Sequence, residues 1–119
     1  MQHAKYLVLI YGDDQTWLNA SPEWEAKNAQ GHAAFNTEAG RAVLGGEELE
    51  GTATAVSLRG NSSGGFIRTD GPFLEAKEVI GGYYLLEAPD LDEAVRLAGC
   101  IPEASSPFSG VEVRPIREH

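Results

Sequence analysis

The sequence is poor in cysteine, in positive charge and in long apolar runs, and each shortage removes a class of protein. One cysteine, Cys100, cannot make an internal disulfide, so the fold must rest on its core, as in a reducing compartment. Nine Lys and Arg against eighteen Asp and Glu leave a net charge of −9. A field of that sign repels nucleic-acid backbones and anionic lipid, so neither is an expected partner. No apolar run approaches the roughly 20 residues needed to cross a bilayer. The N-terminus lacks a basic region and a small-residue cleavage site, so Lys5–Tyr11 reads as a strand rather than a signal peptide, and a cytoplasmic location is expected. Metal ligands at a workable spacing are missing as well: His3 and His119 lie near the ends, and no pair of histidines or carboxylates sits on a supporting element. Gly45-Gly46, Gly64-Gly65 and Gly81-Gly82 are hairpin or bulge glycines rather than phosphate loops, and no elbow motif surrounds the loop serines. Hence no cofactor, nucleotide or metal is expected.

What remains is one ordinary globular domain, residues 1–119, with 42% hydrophobic and 23% charged residues. Lys5–Tyr11 is a continuous apolar run, which predicts a central strand buried on both faces. Ser21-Pro22 opens a helix, the serine as N-cap and the proline at the first helical position, and Gly40 ends it after about Ala39. Its apolar stripe is Trp24, Gly31, Phe35 and Ala39, with Asn28 in the same row. Gly31 costs about 1 kcal/mol against alanine inside a helix, which suggests close approach to a sheet. Residues 42–49 form a short strand or an irregular edge. Thr52–Arg59 and Phe66–Thr69 flank a Gly/Ser loop and read as a hairpin. Tyr83–Glu87 is a buried strand. Asp90 and Glu93 form a capping box for a second helix whose core face is Leu91, Ala94, Val95 and Ala98, with Cys100 beyond it as inert core. Pro102 blocks that helix, and Val111–Ile116 is an edge strand because of Pro115.

The order is α+β, close to a ferredoxin-like antiparallel sheet with two helices on one face and an added β-hairpin. Two helices cover only one face of such a sheet. Tyr6–Tyr11 and Tyr83–Leu86 are apolar on both, so a second copy of the chain is expected to cover the other, giving a sheet-on-sheet homodimer.

Several stretches carry a family likeness: Tyr6–Asp13, His32-Ala33-Ala34-Phe35, Thr69-Asp70-Gly71-Pro72-Phe73 with Glu75, Lys77 and Glu78, Gly82–Glu87, Ala88–Ala94, and Val111–Ile116. With these the chain resembles the DGPF subgroup of the YCII-related proteins, small bacterial domains of the dimeric α/β-barrel superfamily. The Gly/Ser loop 60–65, the Ser-Ser-Pro-Phe insert at 105–108, and Ala33 in place of a basic residue depart from the pattern. The resemblance implies a ferredoxin-like protomer dimerising through its sheets. It also implies a cavity between helix and sheet, with His32 and Asp70 as an acid–base pair. Relatives in the superfamily are isomerases, dehydrochlorinases or cofactor-free oxygenases of small organic compounds, or only bind. Members are often encoded near alternative sigma factors, which implies a regulatory setting.

Read from the residues alone, Asp70 is a turn aspartate bonding its own backbone and His32 a satisfied histidine at the border of the stripe. An imidazole next to a carboxylate, however, moves protons at neutral pH, and Asp70 sits where Gly71 and Pro72 aim it outward. Lys77, in a charged cluster with Glu75 and Glu78, and the hydroxyls of Tyr11 and Tyr83 are the candidate ligand-binding groups; as core or interface aromatics the tyrosines need no ligand. Trp17 and Trp24 read as lid or core. The expectation is a small organic ligand handled by acid–base chemistry of isomerase or lyase type, and the alternative is a metabolite-binding or sensory module without catalysis, linked to transcriptional regulation.

Overall fold

Alternation along the first strand organises the molecule. In the computed structural model, which describes residues 3–72 and 77–119, the elements run β1 (Ala4–Gly12), α1 (Asp14–Leu18), α2 (Pro22–Ala39), β2 (Val43–Glu48), β3 (Val56–Gly60), β4 (Phe66–Asp70), β5 (Val79–Ala88), α3 (Leu91–Ala98) and β6 (Ser109–Pro115). Phe73 and Glu75 of the family-like motif lie outside the described residues. Strands β2, β5, β1 and β6 form an antiparallel sheet in that spatial order, and β3 and β4 pair separately. This order, with both long helices against one face, is consistent with the ferredoxin-like plan.

Tyr6, Val8 and Ile10 of β1 are buried with Leu86 and Ala88 of β5, against Phe35 and Ala39 of α2 and Ala94, Leu97 and Ala98 of α3. The alternate residues Leu7, Leu9, Tyr11, Tyr83 and Leu85 point to the other face and are half-buried. Burial of β1 on both faces is therefore corrected for the single chain, because the residues on that second face are only half-buried among the described residues. Pro115 pairs with Tyr6 on the edge strand β6, as its missing donor requires.

The first long helix begins as the sequence predicts: Ser21 Oγ accepts from Trp24 N at 3.1 Å, and Gly40, with φ +53°, ends it in a conformation suited to glycine. Gly31 is explained differently. A Cβ there would stand 2.3 Å from Pro102 Cγ, so the close neighbour is the turn after α3 and not the sheet. Asp90 Oδ1 caps α3 through Glu93 N at 2.9 Å. Its buried stripe is Ala94, Leu97 and Ala98, continued by Ile101, while Leu91 and Val95 are 46% and 51% exposed. The expected core face was displaced by one turn at its start, and Cys100 is exposed because Ile101 takes the core position.

The short helix α1 is an addition to the expected plan. Asp13 caps it, and Asp14 Oδ2 accepts from Thr52 Oγ1 at 2.7 Å, so both acids of this pair hold local structure. Trp17 packs on the core, over two glycines: a Cβ on Gly12 or Gly81 would meet its ring at 2.6 or 2.5 Å. The hairpin starts later than expected, since Thr52–Thr54 is a 3-10 turn. Among the described residues no helix is long and apolar enough to cross a membrane.

Candidate functional site

Asn28, His32 and Asn36 are spaced four apart on α2 and form one polar row beside the apolar stripe. Opposite them stands Tyr84 of β5, on the helix-facing side of the sheet with Leu86 and Gly82. The third support is the 3-10 turn Pro102–Ala104, where the chain leaves α3 and brings Glu103 under α2, 5% exposed.

His32 joins these elements. Its Nδ1 lies 2.7 Å from the Tyr84 hydroxyl, and its Nε2 lies 2.8 Å from Glu103 Oε1 and 3.1 Å from Oε2. The better-directed hydrogen bond goes to Oε2, which also accepts from Asn28 Nδ2 at 3.1 Å; Oε1 is buried without a directed donor. A carboxylate only accepts, so Nε2 carries the hydrogen, and in the neutral ring Nδ1 is then the acceptor for Tyr84 O–H. Asn36 Nδ2 donates to His32 O at 2.9 Å and reaches the Tyr84 oxygen at 3.5 Å. The Tyr84 ring stacks near His32 at 5.8 Å and lies tilted against Phe35 at 4.6 Å between centroids. Gly46 of β2 leaves room for that ring: a Cβ there would stand 2.7 Å from Tyr84 Cδ1 and 2.6 Å from Tyr83 O.

The electrostatics follow. Burial pushes the Glu103 carboxyl up, but hydrogen bonds from His32 and Asn28 and the charge of His32 outweigh it, and the net shift is downward. Burial, reinforced by the Glu103 charge and opposed by the Asn36 hydrogen bond, holds the Tyr84 phenol above its ordinary value of 10.0. Glu103 is therefore a carboxylate and Tyr84 a neutral hydroxyl at neutral pH. The arrangement is carboxylate, imidazole, hydroxyl, in line. Such a row can draw a proton from the hydroxyl onto the imidazole and hold the resulting cation beside a buried anion.

Of the residues anticipated from sequence, His32 stands in this row and the others stand elsewhere. Asp70 ends β4 with its side chain 84% exposed, 3.2 Å from Arg68 Nη2. Its ion-pair partner is Arg68, and the carboxylate at His32 is Glu103. Tyr11 and Tyr83 point to the opposite face of the sheet from Tyr84. Tyr11 lines a groove of about 470 Å³ there with Leu9, Glu78, Ile80 and Glu112. Lys77 is exposed just before β5. A second groove, about 300 Å³, is lined by Thr16, Ser21, Trp24 and Phe108 at the start of α2. Among the described residues no group of His, Cys, Asp or Glu is arranged to hold a metal.

Glu103 and Tyr84 were missed. A signal that could have pointed to a polar partner is the row Asn28, His32, Asn36, whose first two members are half-buried and so call for one. Nothing local marks Glu103 as that partner, 71 residues away in sequence.

The YCII-related domain model matches residues 4–119 of the chain. The chain is also similar to the uncharacterised protein R00369 of Rhizobium meliloti (strain 1021), at 35% identity over 115 residues, covering 93% of this chain and 90% of that one.

Proposed function

The chain belongs to the YCII-related family, and from that premise we propose that it is a cofactor-free acid–base enzyme of isomerase or lyase type, acting on a small organic molecule. The observation that carries this reading is the Glu103–His32–Tyr84 row, with 2.8 Å and 2.7 Å at its two junctions. His32 exchanges a proton with the substrate through or beside the Tyr84 hydroxyl. Glu103 is a positioning residue: it sets the tautomer and stabilises the imidazolium, the part that sequence reasoning gave to Asp70. We assign the chain to the DGPF subgroup on Asp70-Gly71-Pro72-Phe73 and the stretches around it, and to the cytoplasm, which suits an exposed unpaired Cys100. The half-buried sheet face bearing Leu7, Leu9 and Leu85 supports a homodimer.

The test is a screen of small-molecule pools by mass spectrometry for compounds the protein consumes. Turnover is expected to vanish in His32→Ala and to fall about 100-fold or more in Tyr84→Phe, within the range that a positioned proton carrier supplies. Glu103→Gln is expected to lower kcat with little change in KM and to alter the pH profile. Unchanged kcat in His32→Ala sinks the reading. A second reading, a metabolite-binding or sensory module, is favoured by the aromatic-lined groove at Trp24 and Phe108, one turn of α2 before Asn28. Saturable binding without product, lost in Trp24→Ala and kept in His32→Ala, selects it.

A further inference from the structure

The β3–β4 hairpin is an arm. Among the described residues its strands pair only with each other, in a register that places Val56 opposite Asp70, Leu58 opposite Arg68 and Gly60 opposite Phe66. Residues directly opposite share a face, so one face carries Val56, Leu58 and Phe66, which are 50%, 60% and 63% exposed, together with the Arg68–Asp70 ion pair. A two-stranded ribbon is marginal in water by itself, and an apolar face of this kind needs cover. The molecule is broad and thin, 47 × 43 × 19 Å. Its radius of gyration is 16.3 Å, whereas about 13.5 Å is usual for this length.

Charge indicates what covers the arm. Arg59 and Arg68 against Asp70 make residues 56–70 +1, which leaves −10 on the rest of a chain of −9. The arm is thus a net-positive segment of a strongly acidic protein. On the open face of the main sheet lies the groove of about 470 Å³, with Leu9, Val79 and Ile80 as apolar lining, Glu112 paired with Arg114, and Glu78 as its other carboxylate. Both surfaces are open in the single chain: Phe66 is 63% and Ile80 48% exposed.

We propose that the β3–β4 arm of one protomer lies in the open-face groove of a second copy, Leu58 and Phe66 against Leu9 and Ile80, and Arg68 facing Glu78. The contact is made twice about a two-fold axis, as an isologous interface requires. It rests on the homodimer reading and adds to it the element that reaches across and the site that receives it. The exposed Arg68–Asp70 pair then belongs to the rim of an interface.

Chains carrying Cys100→Ser are made in two versions, one with Leu58→Cys and one, distinguishable in mass, with Ile80→Cys. Mixed and oxidised, they are expected to cross-link to each other. Sedimentation equilibrium is expected to show Arg68→Glu weakening the dimer about tenfold, and Arg68→Glu with Glu78→Arg recovering it, which separates a lost contact from a lost fold. A dimer that forms no such cross-link and is unmoved by Arg68→Glu overturns the arm contact and leaves the homodimer standing. A monomeric wild type at concentrations of tens of micromolar overturns both.

Discussion

At His32 the two ring nitrogens meet different chemistry, an anion at one and a neutral hydroxyl at the other, and this asymmetry makes the residue directional. Glu103 sets the direction. Its folded-state pKa lies below the ordinary 4.5, so the folded chain holds that proton less tightly than the unfolded chain does. The stabilisation it supplies is complete above about pH 4.5 and is lost as pH falls through the lower folded value. Urea unfolding between about pH 3 and about pH 6 is expected to show stability falling on the acid side, and Glu103→Gln to flatten that slope. The same variant loses a charged acceptor for both His32 and Asn28, an expected cost at neutral pH of about 1–3 kcal/mol. Equal acid slopes in the two proteins would mean that Glu103 is not the titrating group. At this scale the sequence showed His32 at the border of the apolar stripe, because helical spacing is local. It did not show Glu103, because that contact is made by the route the chain takes after α3.

Among the elements, α2 is held to the turn after α3 through a missing side chain. Gly31→Ala gains about 1 kcal/mol of helix propensity, yet its methyl would stand 2.3 Å from Pro102 Cγ. Overpacking of that kind costs about 1–3 kcal/mol, and because the proline ring cannot rotate away the clash wins. Thermal unfolding is expected to show Gly31→Ala less stable than wild type; a higher Tm would mean that Pro102 is free to shift. The displacement also moves the Pro102–Ala104 turn that carries Glu103, so the effect on stability and the effect on the site should appear together. Caps, proline and glycine made both long helices legible. Helix α1 escaped because five residues are too few for a periodic pattern, and beside its local cap at Asp13 it is held by a tertiary contact, Asp14 on Thr52. The face of α3 was misjudged because Leu91 and Val95 fit an apolar spacing as well as Leu97 and Ile101 do.

For the whole molecule the question is what covers the open sheet face and the hairpin. If a second copy does, stability depends on protomer concentration by mass action. The Tm is expected to fall measurably over a hundredfold dilution, by scanning fluorimetry, and to fall less with dilution once Phe66→Asp has already weakened the assembly. A Tm independent of concentration in the wild type would indicate a stable monomer. Salt is expected to lower the dimer's stability as well, through screening of Arg68 and Glu78.

The sequence by itself determined the alternation of strands and helices, the boundaries set by Ser21, Gly40, Asp90 and Pro102, and the net acidic charge, because these depend on composition or on neighbours a few residues apart. The tertiary structure decided which groups share a site. It put His32 between Glu103 and Tyr84 and left Asp70 on the arm beside Arg68. The reason is physical: burial forces the polar row of α2 to find partners on whatever element covers it, and that element is chosen by the packing of the sheet, the two helices and the turn between α3 and β6.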